Sequence, residues 1–258
     1  MTLKPFWCYY GGKWRSAPRY PSPRYRRIIE PFAGAAGYST RYHDRDIVLA
    51  EKDPIIAGLW RWLIKSRPAD ILALPLAIPE GGVDALEVEP EARSLIGFWL
   101  NKGASRPMKT PSAWMRGGTH ASSFWGEVVR DRIAAQVEAI KHWTVIEGGY
   151  EYLIQDEATY FVDPPYQRAG KHYRCSEIDY TRLGTWCRAL PGQAIVCEEV
   201  GADWLPFEPF ITAKANESRH GGKKCREAIW LSERSTASHS FGGDQASTSA
   251  GGPSTSAM

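Results

Sequence analysis

The 258-residue chain lacks the cysteine patterns of a disulfide framework or of a zinc site. Its five cysteines include no C-x-x-C pair, and no histidine lies at zinc-ligand spacing from them. An odd number of dispersed cysteines is typical of proteins in a reducing compartment. We therefore expect a protein without a structural metal.

Long apolar runs are absent as well. The opening residues, MTLKPFWCYYGGK, contain no apolar run of signal-peptide length, and nothing later approaches the ~20 apolar residues of a membrane span. The sequence also shows no internal repeat. These absences predict a cytoplasmic protein that does not enter a membrane.

Acidic residues are scarce in two parts of the chain. Glu30 is the only acid among the first thirty residues, which carry seven Lys or Arg side chains. Residues 98–126 contain no acid and four basic side chains, namely Lys102, Arg106, Lys109 and Arg116. The net charge is only +3, so the distribution is more informative than the sum. Such segments suit a polyanionic partner, with a solvated surface as the plainer alternative.

Neither common phosphate-binding glycine motif, G-x-G-x-x-G or G-x-x-x-x-G-K-S/T, occurs in the chain. A different glycine-rich turn, EPFAGAAG at 30–37, follows the short apolar run of Ile28 and Ile29. Glu51 ends the next predicted strand, about 20 residues further on, where nucleotide-binding sheets place the acid that binds ribose hydroxyls. Together these features predict a nucleoside-containing cofactor. An ordinary strand–helix turn and a solvated strand-end charge are the alternatives.

A third strand, ATYFV, runs into the tetrapeptide Asp163-Pro164-Pro165-Tyr166. Neither proline has an N–H, so the carbonyl of Pro164 lies in a stiff segment beside a carboxylate. Two adjacent acceptors suit the two N–H donors of an exocyclic amine, and accepting both bonds exposes the nitrogen lone pair to an electrophilic methyl group. The ring of Tyr166 offers a face on which a base can stack. A proline-terminated strand with an accidental acid is the alternative.

The remaining patterns predict alternating strands and helices, which is typical of an α/β doubly wound sheet. Strands are expected at 46–53, 143–148, 158–162, 193–199 and 225–232, and helices at 54–66, 126–143 and 179–190. Prolines and glycines should break any helix between 67 and 92. The Ser/Gly/Ala-rich residues 235–258 are expected to form a disordered tail.

The motif FVDPPY (161–166) resembles the catalytic motif of the amino-methyltransferases that act on DNA. Four further stretches are similar, in the same order, to motifs of the Dam-like, alpha-group N6-adenine DNA methyltransferases. YYGGK (9–13) is similar to W-A-G-G-K, and EPFAGAAG is similar to E-P-F-x-G-x-G. LAEKD (49–53) is similar to the acidic end of the second strand, and GFWLNKGAS (97–105) to the segment before the recognition loops. The resemblance covers about residues 4–233. The chain departs from the family in having Ala36 at the place of the second glycine and Tyr9 at the place of tryptophan.

The resemblance implies the Rossmann-like, class I sheet of S-adenosylmethionine-dependent methyltransferases. It divides the chain into a catalytic domain at 1–66 and 140–234 and a small inserted helical or loop region for target recognition at 67–139. It implies S-adenosylmethionine as the cofactor and double-stranded DNA as the partner, with no metal. A monomer in a bacterial or phage-infected cell is expected.

The resemblance also implies roles for individual residues. The family's cofactor-contacting positions match Tyr9, Lys13, Phe32, Gly34, Glu51 and Asp163. The set that holds a flipped-out adenine matches Asp163, Pro164, Pro165 and Tyr166. The expected DNA contacts are Asn101, Lys102, Arg106, Lys109 and Arg116.

Site-specific methyl transfer to adenine N6 in duplex DNA is therefore the predicted activity. Methyl transfer to cytosine N4 or to RNA adenine is the nearest alternative. A non-catalytic DNA-binding relative that has lost the cofactor is another, because Ala36 alters the cofactor loop.

Overall fold

A computed structural model of the chain describes residues 2–118, 122–168, 172–214 and 224–232. Its strands are β1 (Arg27–Glu30), β2 (Asp46–Glu51), β3 (Thr144–Glu147), β4 (Thr159–Val162), β5 (Gln193–Glu199), β6 (Glu208–Lys214) and β7 (Lys224–Leu231). They form one sheet in the order β3-β2-β1-β4-β5-β7-β6. The first five strands of that order are parallel, and β7 runs antiparallel to β5 and β6. The predicted α/β class with a mostly parallel sheet is confirmed, and the sheet is compatible with a Rossmann-like fold.

The helices of the described part are α1 (Pro54–Lys65), α2 (Pro68–Leu72), α3 (Pro90–Phe98), α4 (Ala113–Arg116), α5 (Glu127–Gln136) and α6 (Tyr180–Ala189). The carboxylates of Asp53 and Asp179 cap α1 and α6 by accepting hydrogen bonds from backbone N–H groups of the first turn. Both helices confirm the predicted ones. The predicted helix 126–143 is shorter than expected, because α5 ends at Gln136 and a 3-10 turn follows at Val137–Ile140.

The expectation that helix is broken between residues 67 and 92 is confirmed. The short helix α2 lies within this stretch and α3 begins near its end, and the two helices start at Pro68 and Pro90. Proline has no N–H to lose at the first helical position, where it is favoured. Strand β6 was not predicted, and it contains Pro209. It pairs with β7 at the edge of the sheet, where a strand tolerates proline.

Apolar side chains form two cores, which cover the two faces of the sheet. Ile28 and Phe161 belong to one core, and their chain neighbours Ile29 and Tyr160 belong to the other. This division follows from the two-residue period of a strand. The first core also holds apolar side chains of α1, α3 and α5, and the second holds those of α6.

The strand order reverses between β1 and β4. In open parallel sheets this switch point opens a crevice at the carboxyl ends of the strands, where ligands bind. The segments that follow β1 and β4 are EPFAGAAG and the Asp163 tetrapeptide. In the described ranges, no helix has both the length and the apolar character needed to cross a membrane. The predicted tail at 235–258 lies outside the described residues.

Candidate functional site

A cleft opens at the switch point, over the carboxyl ends of β1, β2 and β4. Its walls come from five parts of the chain: the N-terminal segment, the loop after β1, the end of β2, the turn after β3, and the connection between β4 and α6. They include Tyr9, Lys13, Phe32, Gly34, Glu51, Asp163, Pro165 and Tyr173. All six residues predicted to contact a cofactor therefore lie around one cleft, although Tyr9 and Asp163 are far apart in the chain.

Gly34 connects the loop after β1 to β2 and to the N-terminal segment. Its φ is +45°, and a Cβ at this position would lie 3.0 Å from the ring of Tyr9. Its N–H donates to the carboxylate of Glu51 at 2.9 Å, and its carbonyl accepts from the buried indole of Trp60 at 2.8 Å. The absence of a side chain thus lets the aromatic ring pack directly on the loop.

Ala36, the departure from the family motif, adopts the left-handed conformation with φ +46°. Its N–H donates to the carbonyl of Ala33 at 2.6 Å, so the loop keeps a tight turn. A residue with a Cβ pays about 1–2 kcal/mol in this conformation, which glycine avoids. At the neighbouring Gly37, a Cβ would lie 2.6 Å from the backbone nitrogen of Trp14. The loop therefore follows a path that favours glycine, and alanine occupies it under strain.

Glu51 closes the far end of the cleft. One carboxylate oxygen accepts from the N–H of Asp53 and the other from the N–H of Gly34, each at 2.9 Å. Burial raises the pKa of this carboxyl, while the two N–H donors oppose the rise by stabilising the charged form. A carboxylate can accept about four hydrogen bonds, so acceptor capacity remains for hydroxyl groups of a ligand.

Asp163 lies at the centre of a buried charge network. The ammonium of Lys13 is 2.8 Å and 2.9 Å from its two carboxylate oxygens and also donates to the carbonyl of Gly11 at 3.1 Å. Glu227 on β7 lies 3.9 Å from the same ammonium and accepts a hydrogen bond of 2.6 Å from the hydroxyl of Tyr20. This network joins three parts of the chain, namely the N-terminal segment, the end of β4, and β7.

Burial and neighbouring charges oppose each other in the ionisation of this network. For Lys13, burial opposes the charged form, but Asp163, Tyr20 and Glu227 together raise the pKa well above its ordinary value. For Asp163, burial raises the pKa and the ammonium of Lys13 opposes the rise. Burial also raises the pKa of Glu30, at the end of β1, to about 8, although the N–H of Ser39 donates to it.

The two prolines hold the tetrapeptide in place. Pro164 and Pro165 are buried, and the carbonyl of Pro165 accepts a hydrogen bond of 2.7 Å from the hydroxyl of Tyr180. The N–H of Gln167, directly after Tyr166, donates to the buried carboxylate of Glu198. The ring of Tyr166 faces the ammonium of Lys13 at 4.9 Å. The stiffness expected from the sequence is therefore reinforced by hydrogen bonds on both sides.

Tyr173 closes the cleft from the β4–α6 connection. Its hydroxyl donates to the carbonyl of Tyr10 at 3.1 Å, and its ring lies 5.9 Å from that of Tyr9. A Cβ at Gly11 would lie 2.3 Å from this hydroxyl, so glycine is required for the contact. The carbonyl of the preceding residue, His172, accepts from Ser105 at 2.7 Å. The connection thus rests on both the N-terminal segment and the loop after α3.

The residues predicted to bind DNA differ in their surroundings. Lys102 lies over the rings of Trp114 and Phe124, at 4.8 Å and 5.5 Å, and Asn101 accepts from the N–H of Lys102. Arg106 is exposed. Lys109 pairs with Asp84 at 2.6 Å, and Arg116 donates to the carbonyl of Pro111 at 2.6 Å. The acid-free stretch is therefore partly neutralised by a carboxylate from outside it.

Sequence reasoning missed four residues of the site: Tyr20, Glu30, Tyr173 and Glu227. Glu30 lies in the motif EPFAGAAG and Glu227 in the predicted strand at 225–232, but only the fold brings Glu30 to Ser39 and Glu227 to Lys13. No local pattern distinguishes Tyr20 or Tyr173. Within the described ranges, no group of three or more His, Cys, Asp or Glu side chains is arranged to hold a metal ion.

Comparison with known proteins identifies no family. No family model matches the chain, and no curated protein is significantly similar to it. Among solved structures, a conserved hypothetical protein from Streptococcus pyogenes is similar at 12% identity, over 84% of this chain and 89% of that one, with a TM-score of 0.34. A likeness at that TM-score indicates neither a shared fold nor a shared function.

Proposed function

We propose that the chain is a DNA adenine methyltransferase, which transfers a methyl group from S-adenosylmethionine to N6 of an adenine rotated out of the duplex. One observation carries the proposal. Asp163 and Pro165, of the tetrapeptide at the end of β4, line the same cleft as the glycine loop that is hydrogen-bonded to Glu51. A nucleoside site and an amine-holding site thus adjoin at the switch point of the sheet.

The residues of the cleft fit a nucleoside-containing cofactor. Gly34 presents bare backbone beside the ring of Tyr9, and Glu51 retains acceptor capacity for ribose hydroxyls. The ring of Phe32 packs against that of Tyr150 at 5.8 Å and adds an apolar wall. S-adenosylmethionine supplies an electrophilic methyl group when it is bound. The seven-stranded, mostly parallel sheet is compatible with a methyltransferase of class I.

Asp163 and the carbonyl of Pro164 hold the exocyclic amine. Lys13 occupies part of the acceptor capacity of the carboxylate and leaves further lone pairs for an N–H of the adenine. Burial raises the pKa of Asp163, and the positive charge of Lys13 opposes that rise and so favours the ionised carboxylate. When the nitrogen has gained a fourth substituent it must lose a proton, and the carboxylate of Asp163 is the acceptor within reach.

Tyr166 stabilises the base outside the duplex. Rotating a base out of the stack costs a few kcal/mol, and stacking on an aromatic side chain recovers about 1–3 kcal/mol. The ring is held next to Lys13, and the tetrapeptide is anchored through Tyr180, so stacking requires little reorganisation.

Methyl transfer from labelled S-adenosylmethionine to DNA of mixed sequence tests the proposal. The DNA is digested, and the modified nucleosides are identified by mass spectrometry. We expect N6-methyladenine in duplex DNA. Methylated cytosine, label in RNA alone, or cofactor binding without any methyl transfer would each contradict the proposal.

A further inference from the structure

Arg132 on α5 is a cation without a counter-charge among the described residues. Its guanidinium lies 5.0 Å from the ring centroid of Trp99. Two of its nitrogens, Nε and Nη2, are buried and have no hydrogen-bond acceptor in the described part of the chain. Burial lowers the pKa of the guanidinium and the thiol of Cys8 opposes this, but no described carboxylate contributes. A charged group in this condition is destabilised unless an anion compensates it.

Two further cations, Lys102 and Arg15, lie near the same place. All three cations lie near the thiol of Cys8. Burial raises the pKa of this thiol, and the positive charges of Arg132, Lys102 and Arg15 oppose the rise. Lys102 is held over Trp114 and Phe124, and Arg15 is exposed. We call Arg15, Lys102 and Arg132 the Cys8 basic cluster. None of the three has a described ion pair, in contrast to Arg67, Lys109 and Arg130, which pair with Asp70, Asp84 and Asp131.

The cluster adjoins the cleft. Cys8 directly precedes Tyr9, whose ring lines the cleft. The loop that carries Lys102 is joined to the N-terminal segment by the hydrogen bond from Tyr10 N–H to the carbonyl of Ala104, at 3.1 Å. Ser105 in the same loop binds the carbonyl of His172 in the segment that closes the cleft. A polyanion that delivers a base to the cleft therefore passes over or beside these cations.

We propose that the Cys8 basic cluster binds backbone phosphates of duplex DNA next to the base whose amine reacts. The inference rests on the proposed function and adds residues to it, since Arg15 and Arg132 lie outside the acid-free stretch 98–126. Aromatic rings fix two of the cations in position, so little side-chain freedom is lost when a phosphate binds. Lys109 and Arg116 are already occupied by Asp84 and Pro111 and contribute less.

Fluorescence anisotropy of a labelled duplex, measured without cofactor at several salt concentrations, tests the cluster. Each phosphate contact contributes about −0.9 to the slope of log K against log[salt]. We expect Arg132→Gln, Lys102→Gln and Arg15→Gln each to reduce the slope by about that amount. Arg67→Gln is the matched control, since its charge is already paired with Asp70, and it should leave the slope unchanged.

Arg15→Gln keeps the test valid if the half-buried Arg132 variant fails to fold, because Arg15 is exposed. A wild-type slope in both the Arg15 and the Lys102 variants would overturn the cluster. Duplex RNA of the same length that binds more tightly than DNA, with the same slope changes, would overturn the choice of partner. Reduced slopes together with no adenine methylation would refute the proposed activity and leave the cluster standing. Adenine methylation together with wild-type slopes would refute the cluster and leave the proposed activity standing.

Discussion

The ammonium of Lys13 lies 2.8 Å from the carboxylate of Asp163, although 150 residues separate them in the chain. The pair is largely buried, with Lys13 only 5% exposed. Removing one partner of a buried ion pair leaves the other charge uncompensated, which commonly costs about 3–5 kcal/mol. Here Glu227 provides a second carboxylate, 3.9 Å from the ammonium. The N-terminal segment, β4 and β7 are therefore coupled through one charge.

Asp163→Asn should abolish most methyl transfer, because an amide accepts the amine more weakly than a carboxylate and cannot take its proton. A loss of about 10²–10³-fold in kcat is expected, comparable to the removal of a preorganised polar group. Glu227 leaves Lys13 with a counter-charge, so the fold should persist. The single-turnover rate with labelled cofactor measures the effect, and circular dichroism checks the fold.

The control for this change is Asp156→Asn, at a half-exposed carboxylate paired with Arg27. It should retain wild-type turnover. Wild-type turnover in the Asp163 variant as well would remove the basis for the proposed mechanism.

Glu227→Gln should shift the acidic limb of the pH profile. The charge of Glu227 raises the pKa of both Lys13 and Asp163. Activity requires ionised Asp163, and it is lost as the pH falls through the pKa of that carboxyl. Removing the charge lowers this pKa, so the acidic limb of kcat/KM should move to lower pH. Glu208→Gln, at an exposed carboxylate on β6, should leave the profile in place. A shift of the limb to higher pH would contradict the role of the network.

Gly11→Ala should destabilise the protein more than Gly118→Ala. Both glycines have a positive φ, +71° and +72°, so the backbone penalty of about 1–2 kcal/mol is shared. A Cβ at Gly11 also meets the hydroxyl of Tyr173, whereas no atom of the described residues lies within 4 Å of one at Gly118. Loss of the hydrogen bond from Tyr173 to Tyr10 adds about 1 kcal/mol. Urea unfolding measures both variants.

Tyr173→Phe removes the hydroxyl oxygen with which the Cβ of Gly11→Ala would collide. In a double-mutant cycle with Gly11→Ala, the two changes should therefore cost less together than the sum of their separate effects. Additive effects, or equal losses for the two glycine variants, would show that Tyr173 does not rest on Gly11 in solution.

Glu30→Gln should flatten the dependence of stability on pH. The pKa of Glu30 is raised by burial from its ordinary 4.5 to about 8 in the folded protein. The folded state thus favours the protonated carboxyl, and stability present below pH 4.5 is lost as the pH rises toward 8, with a slope of up to about 1.4 kcal/mol per pH unit. Glutamine keeps the acceptor for Ser39 without a charge.

Urea unfolding at pH 5, 6, 7 and 8 measures this dependence. The exposed Glu80→Gln serves as the control and should follow the wild type. The same slope in wild type and in the Glu30 variant would mean that Glu30 is ionised without penalty in the folded protein.

Local patterns predicted much of the sheet and of the cleft. The strand at 193–199 and the helix at 54–66 were predicted closely, because apolar spacing and a capping aspartate are encoded within a few residues. The helix after Pro90 and strand β6 were not predicted, and both contain a proline. Proline is compatible with the first position of a helix and with an edge strand, but the sequence alone does not show which positions these are.

The sequence by itself determined which groups stand at the strand ends: Glu51 after β2, and Asp163 with its two prolines after β4. Strand-end positions follow from the order of residues along the chain, so a motif suffices to find them. Only the tertiary structure decided their partners. Lys13 pairs with Asp163 and lies near Glu227, which accepts a hydrogen bond from Tyr20. Arg15, Lys102 and Arg132 gather around Cys8. The order of the strands and the packing of α5 bring these distant segments together. Contacts of this kind depend on the closure of long loops, which no local pattern records.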